Sequence, residues 1–289
     1  MRINGHPDPT VFPTALAAHS LSFVAEAAAM RERALDFLAR EMEPRGVWSH
    51  RPREHSAHRG LVADADDTAC AAAALRDAGR ALPDVARNLL AARTRDGLFR
   101  TWLITPADLM RPRALWDLFV RGTASVFDLD AVVNANVLHF LGASAETRPV
   151  VEWLLTILRE RRETDCDKWY DNPFVVRYFF ARALAAINEE ARAIIVRRVE
   201  GSSPSSSLEH ALGAGALAYC GVTSSVNALL ESQLSSGSWP AAPLYNVGRV
   251  RRRGGGFVPH SADFMTWGSE ELTTAFAVEA LARHRTLSA

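Results

Sequence analysis

The sequence predicts an all-α protein: a single (α/α)6 toroid, or barrel, of about twelve helices over residues 1–289. Three observations lead there. Apolar residues recur at three- and four-residue spacing along most of the chain. Period-two alternation of the strand type is almost absent. The breaks between apolar stretches carry turn chemistry, at Glu43-Pro44-Arg45-Gly46, Asp96-Gly97, Gly201–Pro204 and the long tract Pro240–His260.

The elements follow in order. Residues 1–20 read as an irregular N-terminal arm. The first stripe runs over Leu21–Glu43 (Phe23, Ala27, Met30, Leu35, Leu38) with few helix breakers. Further stripes cover Thr68–Leu75, Val85–Ala92, Val132–Leu141, Val150–Leu158, Phe174–Ile187, Ala191–Val199, Leu208–Tyr219, Val226–Leu230 and Leu272–Leu281. About twelve helices in 289 residues leave roughly 24 residues for each helix and its loop, a comfortable size. A pattern repeats as well: a loop with an aromatic, a polar helix start, then a small-residue apolar helix. The starts Asp64, Asp128, Pro173, Ser205 and Ser269 lie roughly 32–64 residues apart, the range of two-helix repeats. Six hairpins closing into inner and outer rings bury every stripe. An open solenoid would need polar capping repeats, and none is evident.

Composition narrows the function classes. Apolar residues are 48% and charged residues 23%, the balance of a globular protein. Basic and acidic residues cancel at 33 each, which argues against nucleic-acid binding. No apolar run is long enough for a transmembrane segment, and the first ten residues lack a secretory pattern. Cys70, Cys166 and Cys220 are odd in number and widely spaced, as expected of buried thiols in a reducing compartment. A cytoplasmic protein is expected. Lys168 is the single lysine in an arginine- and alanine-rich chain, a habit of GC-rich bacterial genomes.

Two stretches carry more specific information. Asp64-Ala65-Asp66-Asp67-Thr68-Ala69 opens a helix, and Gln233-Leu-Ser-Ser-Gly237-Ser-Trp239 precedes the helix at Gly268–Ala275. The first resembles the DxDDTA motif of class II terpene cyclases, the group of squalene-hopene cyclases and copalyl diphosphate synthases. The second resembles the QxxxGxW repeat of the same superfamily, of which Glu43-Pro-Arg-Gly46-Val-Trp48 looks like a degenerate copy. The resemblance implies an (α/α)6 barrel over most of the chain. It implies an intramolecular cyclase of the isomerase type, which protonates an isoprenoid or related polyene and closes rings through carbocations. Many members have two barrels, whereas this chain has room for one. The single-barrel prenyltransferase β subunits bind zinc through Asp, Cys and His. Asp165-Cys166-Asp167 is only superficially similar and the rest of that pattern is missing, so no metal site is expected.

Protonating an alkene needs a neutral acid in a dry pocket. A carboxyl beside a second carboxyl stays protonated, because two like charges in a low dielectric cannot both ionise cheaply. On the resemblance, Asp66 is the proton donor, Asp64 its neighbour and Asp67 an orienting group. Helix capping is the plainer reading of the same three acids, though one would suffice for it. His50, His55, His58 and His260 are candidates to activate or reprotonate the acid. The alternative for them is a solvated loop.

Carbocations are stabilised by aromatic faces. The substrate-binding candidates are Trp48, Trp102, Trp169, Tyr170, Tyr178 and Trp267, with Asp128, Asp130 and Asn134 from a second acidic helix start. Capping explains Asp128 and Asp130 equally well. Arg249, Arg251, Arg252 and Arg253, before three glycines, would suit a diphosphate. Mg2+ would accompany a diphosphate substrate. A mobile solvated loop is the plainer alternative. Because one barrel leaves its mouth open to water, the tract Pro240–His260, a homodimer or a partner subunit is expected to cover it. The rival functions are a non-catalytic or partner-binding barrel, and a cyclase or isomerase of a non-terpenoid substrate.

Overall fold

A computed structural model describes residues 10–110, 115–251, 257–259 and 265–289. The chain is about 56% helical. The helices are α1 (Val11–Ser20), α2 (Ala28–Glu41), α3 (Ala65–Asp77), α4 (Val85–Ala91), α5 (Pro106–Leu109), α6 (Ala131–Leu141), α7 (Arg148–Glu160), α8 (Pro173–Leu184), α9 (Glu189–Glu200), α10 (Ser207–Tyr219), α11 (Asn227–Glu231) and α12 (Glu270–Ser288).

Six of them close a ring. In order, α1, α3, α6, α8, α10 and α12 each pack on the next, and α12 returns to α1. Outside it, α2 packs on α1 and α3, α4 on α3, α7 on α6, α9 on α8 and α10, and α11 on α10. Sequence chemistry sorts the layers. The outer helix α7 is amphipathic and buries only Val150, Leu154, Leu155, Ile157 and Leu158. The inner helix α3 is buried on every face from Ala65 to Leu75, and α8 from Phe174 to Leu184. Alanine-rich α3 keeps the ring tight, since small side chains let neighbouring helices approach.

Two N-terminal expectations need correction. Residues 11–20 form the first inner helix instead of an irregular arm, burying Val11, Phe12, Ala15, Leu16 and Ala18. A helix apolar nearly all round shows no stripe, so periodicity could not announce it. The stretch expected as one helix from Leu21 breaks into two 3-10 turns, Leu21–Phe23 and Ala25–Ala27, before α2.

Three turns share one geometry. In Glu43–Trp48, Thr94–Phe99 and Leu234–Trp239, the first residue's N–H donates to the fifth residue's carbonyl at 3.0, 2.7 and 2.8 Å. The fourth residue is Gly46, Gly97 or Gly237, with φ of 72°, 82° and 87°, a region that glycine enters without steric cost. The sixth is a buried aromatic whose N–H donates to an inner helix: Trp48 to Thr68, Phe99 to Asn134 and Trp239 to Thr274. Both indoles donate to the carbonyl ten residues earlier, Trp48 to Leu38 and Trp239 to Leu229. Each turn thus ties the end of an outer helix or its loop to an inner one.

The tract after Pro240 contributes two small antiparallel ribbons. β1 (Tyr245–Asn246) pairs with β4 (Thr266–Trp267), and β2 (Arg249–Arg251) pairs with β3 (Phe257–Pro259). No described helix is long and apolar enough to cross a membrane.

Candidate active site

A cavity of about 840 Å³ opens at the end of the ring where the inner helices begin. That lies within the roughly 300–1,000 Å³ usual for small-molecule sites. Asp64, Asp66 and Asp67 line it together with Phe12, Trp102, Trp169, Tyr170, Tyr245 and Trp267.

The three acids have different partners. Asp64 is the N-cap of α3 and accepts from the Asp67 N–H at 2.7 Å. Asp66 accepts from Asn136 Nδ2 at 2.5 Å and from the Tyr170 hydroxyl at 2.6 Å, one donor on each oxygen. Asp67 lies 3.4 Å from His50 Nδ1. The other ring nitrogen of His50 lies 3.4 Å from the Tyr245 hydroxyl.

Burial raises all three carboxyls. Asp66 is pushed up to about 7, first by desolvation and then by the charge of Asp64, while Tyr170 and Asn136 hold it back. Asp67 also reaches about 7, through burial, against a lowering hydrogen bond from Asp64. Asp64 lies well above the carboxylate range through burial and the Asp67 charge. A proton on Asp64 can be shared with Asp67, whose Oδ1 has no other partner among the described residues.

A second layer holds the donors. The Arg182 guanidinium donates to Asn136 Oδ1 and to Cys70 Sγ, and lies 5.0 Å from the Phe179 ring centroid. Among the described residues no carboxylate lies within ion-pair distance of it. Its bond to Oδ1 turns the Asn136 amide so that the NH2 faces Asp66.

The apo type II terpene cyclase MstE from Scytonema matches with a TM-score of 0.66 at 19% identity, over 96% of this chain and 89% of that chain. A variant of MstE in complex with geranylgeranyl dihydroxybenzoate, its substrate, matches at 0.67 and 18%, over 96% and 88%. A variant in complex with merosterolic acid A, its product, matches at 0.66 and 19%, over 96% and 87%. The chain has the type II terpene cyclase fold. No protein-family model and no curated protein sequence matches it.

Several expected site residues take other places in this cyclase fold. Trp48 is a fully buried turn anchor. Tyr178 is buried and donates to Glu279 at 2.8 Å, away from the cavity. Asp128 is paired with Lys168 at 2.8 Å and accepts from Trp102 Nε1 at 3.2 Å. Asp130 accepts from Thr101, Trp169 Nε1 and the Lys168 N–H. Asn134 stitches α6 to the Phe99 main chain at 2.8 and 2.9 Å. Two residues on a helix differ by about 200°, so Asn136, not Asn134, faces the acids. Trp102, Trp169, Tyr170 and Trp267 do line the cavity. Tyr170 also holds the acid, a role composition does not reveal. Asn136 and Arg182 left a faint signal, being polar residues buried inside largely apolar helices.

Among the candidate histidines, His50 is placed beside an acid of the cluster, Asp67. The His55 ring accepts from the Ala57 N–H, and the His58 Nδ1 bonds the Arg51 carbonyl at 2.8 Å. Arg252, Arg253, His260 and the Arg251 side chain lie outside the described residues.

Arg249 is buried and donates to the carbonyls of Asp167 (2.5 Å), Thr164 and Tyr170 (both 3.3 Å). It pins the segment that presents Tyr170 and does not line the cavity. Arg249→Ala is therefore expected to lower stability by at least about 1.5–3 kcal/mol, the worth of one bond to a charged donor. Urea unfolding measures this. A stable variant with a raised KM would return Arg249 to the substrate.

Proposed function

We propose that the protein is a class II-type terpene cyclase that starts its reaction by proton transfer from Asp66 to a carbon–carbon double bond, or an epoxide, of an isoprenoid chain. The observation that carries this reading is the Asp66 carboxyl. It is buried, raised to about 7, held by one donor on each oxygen and exposed to an aromatic-lined cavity.

The chemistry follows from the residues. In the alkene case the Asp66 O–H breaks and its proton bonds one alkene carbon, leaving a cation on the other. The next double bond supplies the electron pair that closes a ring and carries the charge onward. Loss of a proton from carbon ends the cascade, so product and substrate are isomers. Tyr170 and Asn136 stabilise the carboxylate left behind, and the Arg182 guanidinium polarises Asn136 for that purpose. The faces of Trp102, Trp169, Tyr245 and Trp267 attract the migrating charge without acting as nucleophiles. The His50–Asp67 pair, beside Tyr245, is placed to return a proton from the mouth to the acid cluster. Segment 117–124 and residues Tyr245–Val247 wall the cavity and keep water from the cation.

The cavity supports a prenyl substrate class. An apolar, aromatic space suits a prenyl chain, and MstE acts on geranylgeranyl dihydroxybenzoate, a prenyl chain on an aromatic acid. Arg249 is committed to main-chain carbonyls and supplies nothing for a diphosphate, and the side chains of Arg251, Arg252 and Arg253 lie outside the described residues.

The test incubates the protein with farnesyl-, geranylgeranyl- and squalene-type substrates, with and without aromatic-acid or diphosphate heads, in D2O. A cyclic isomer carrying one carbon-bound deuterium is expected. Activity should fall as pH rises through about 7, because the donor must be protonated. A product without deuterium, or activity that increases above that pH, would rule out Asp66 as the acid.

A further inference from the structure

The inner helices begin around the acids and finish at the opposite end of the ring. There a second group of ligand-type side chains meets. His19 lies in the last turn of α1, Asp77 ends α3 and His139 lies in the last turn of α6. One ligand atom from each falls within 4.8 Å of the other two. We propose that His19, Asp77 and His139 bind one divalent transition-metal ion of the zinc type, as a clamp across the ends of three consecutive inner helices. This stands apart from the cyclase reading.

Both imidazoles are prepared as ligands. His139 Nε2 is buried without a hydrogen-bond partner among the described residues, and the ring is steadied from the Arg182 main chain. His19 Nε2 lies 2.7 Å from the Tyr219 hydroxyl, which leaves Nδ1 for an ion. A ring fixed through one nitrogen and bare at the other is the usual posture of a metal-binding histidine.

The charge balance decides which ion fits. Arg31, Arg76, Arg182 and Arg283 surround the two histidines. Against them stand Asp77, Glu279 (3.3 Å from Arg283) and the carbonyl ends of α1, α3 and α6, each roughly half a negative charge. Arg76 competes for Asp77 at 2.8 Å. A hard, weakly bound cation would lose to these guanidiniums. An ion that bonds strongly to imidazole nitrogen would not, so zinc, cobalt or nickel is favoured over magnesium or calcium. Tetrahedral bonds of about 2.0–2.2 Å place ligand atoms roughly 3.4 Å apart. Rotation of the exposed Asp77 side chain closes the difference and leaves a fourth position toward solvent.

The experiment titrates EDTA-treated protein with ZnCl2, CoCl2 and MgCl2 by calorimetry, alongside melting temperature. Zinc and cobalt should bind one equivalent per chain and raise the melting temperature, and magnesium should not. His139→Ala should abolish binding. Asp77→Asn, at an exposed position that the fold does not need, should weaken it by more than about tenfold. Asp66→Asn should bind as the unaltered chain does, which separates this site from the acid cluster. The proposal falls if neither ion binds, if Asp77→Asn keeps full affinity, or if Asp66→Asn loses the ion.

Discussion

Asp66→Asn should lower turnover by at least ~10²–10⁴-fold, the usual cost of removing a general acid, and an amide has no proton acidic enough to reach an alkene. Size and one hydrogen-bonding oxygen are kept, so substrate binding should survive. Stability should move the other way. In the folded chain Asp66 binds its proton up to about pH 7, whereas an unfolded aspartate releases it near 3.8. The folded state therefore holds the extra proton between those values, and the native acid makes the chain progressively less stable as pH rises through that window. The asparagine variant escapes this loss. Its melting temperature should match the native chain's near pH 4 and exceed it above pH 7. Were Asp66 only a helix-start charge, the variant would retain turnover and gain no stability at high pH. Product formation and melting curves at two pH values distinguish these cases.

Trp239→Ala should destabilise the fold by about 3–5 kcal/mol, the range for removing a large buried aromatic. The indole is 2% exposed, and its truncation also removes a hydrogen bond to the Leu229 carbonyl of an outer helix, leaving Ser232 as the donor there. Trp48→Ala should cost a similar amount, since its indole is fully buried and bonds Leu38 in the same way. Trp102→Ala provides the contrast. That ring is half-buried on the cavity wall, so its loss should cut turnover more than stability. Urea unfolding of the three variants, with activity measured alongside, checks the ranking. Equal destabilisation by all three would mean that Trp102 also belongs to the framework.

Both predictions rest on features of unequal visibility in the sequence. Asp64, Asp66 and Asp67 announce themselves because three acids at one helix start exceed what capping needs. The glycine–aromatic turns do so because a positive φ and a buried ring leave fixed residue types at fixed spacing. The all-α class was legible for the same reason: outer helices such as α7 must keep a polar face, and their stripes survive in the pattern.

What only the tertiary structure decided concerns the inner ring. α1 escaped because a short helix apolar on nearly every face has no clear period to read. Asn136 was passed over for Asn134 because both are polar on one helix, and only the packing of α6 on α3 selects the face. Tyr170 and His50 lie 104 and 17 positions from the acids they meet, and Arg182 acts through Asn136, 46 positions away. Arg249 reads as an anion ligand by charge alone, until the fold buries it among carbonyls. Local chemistry is written in residue type and spacing. Which buried polar group meets which carboxyl is set by ring closure, which brings together residues that the chain itself keeps far apart.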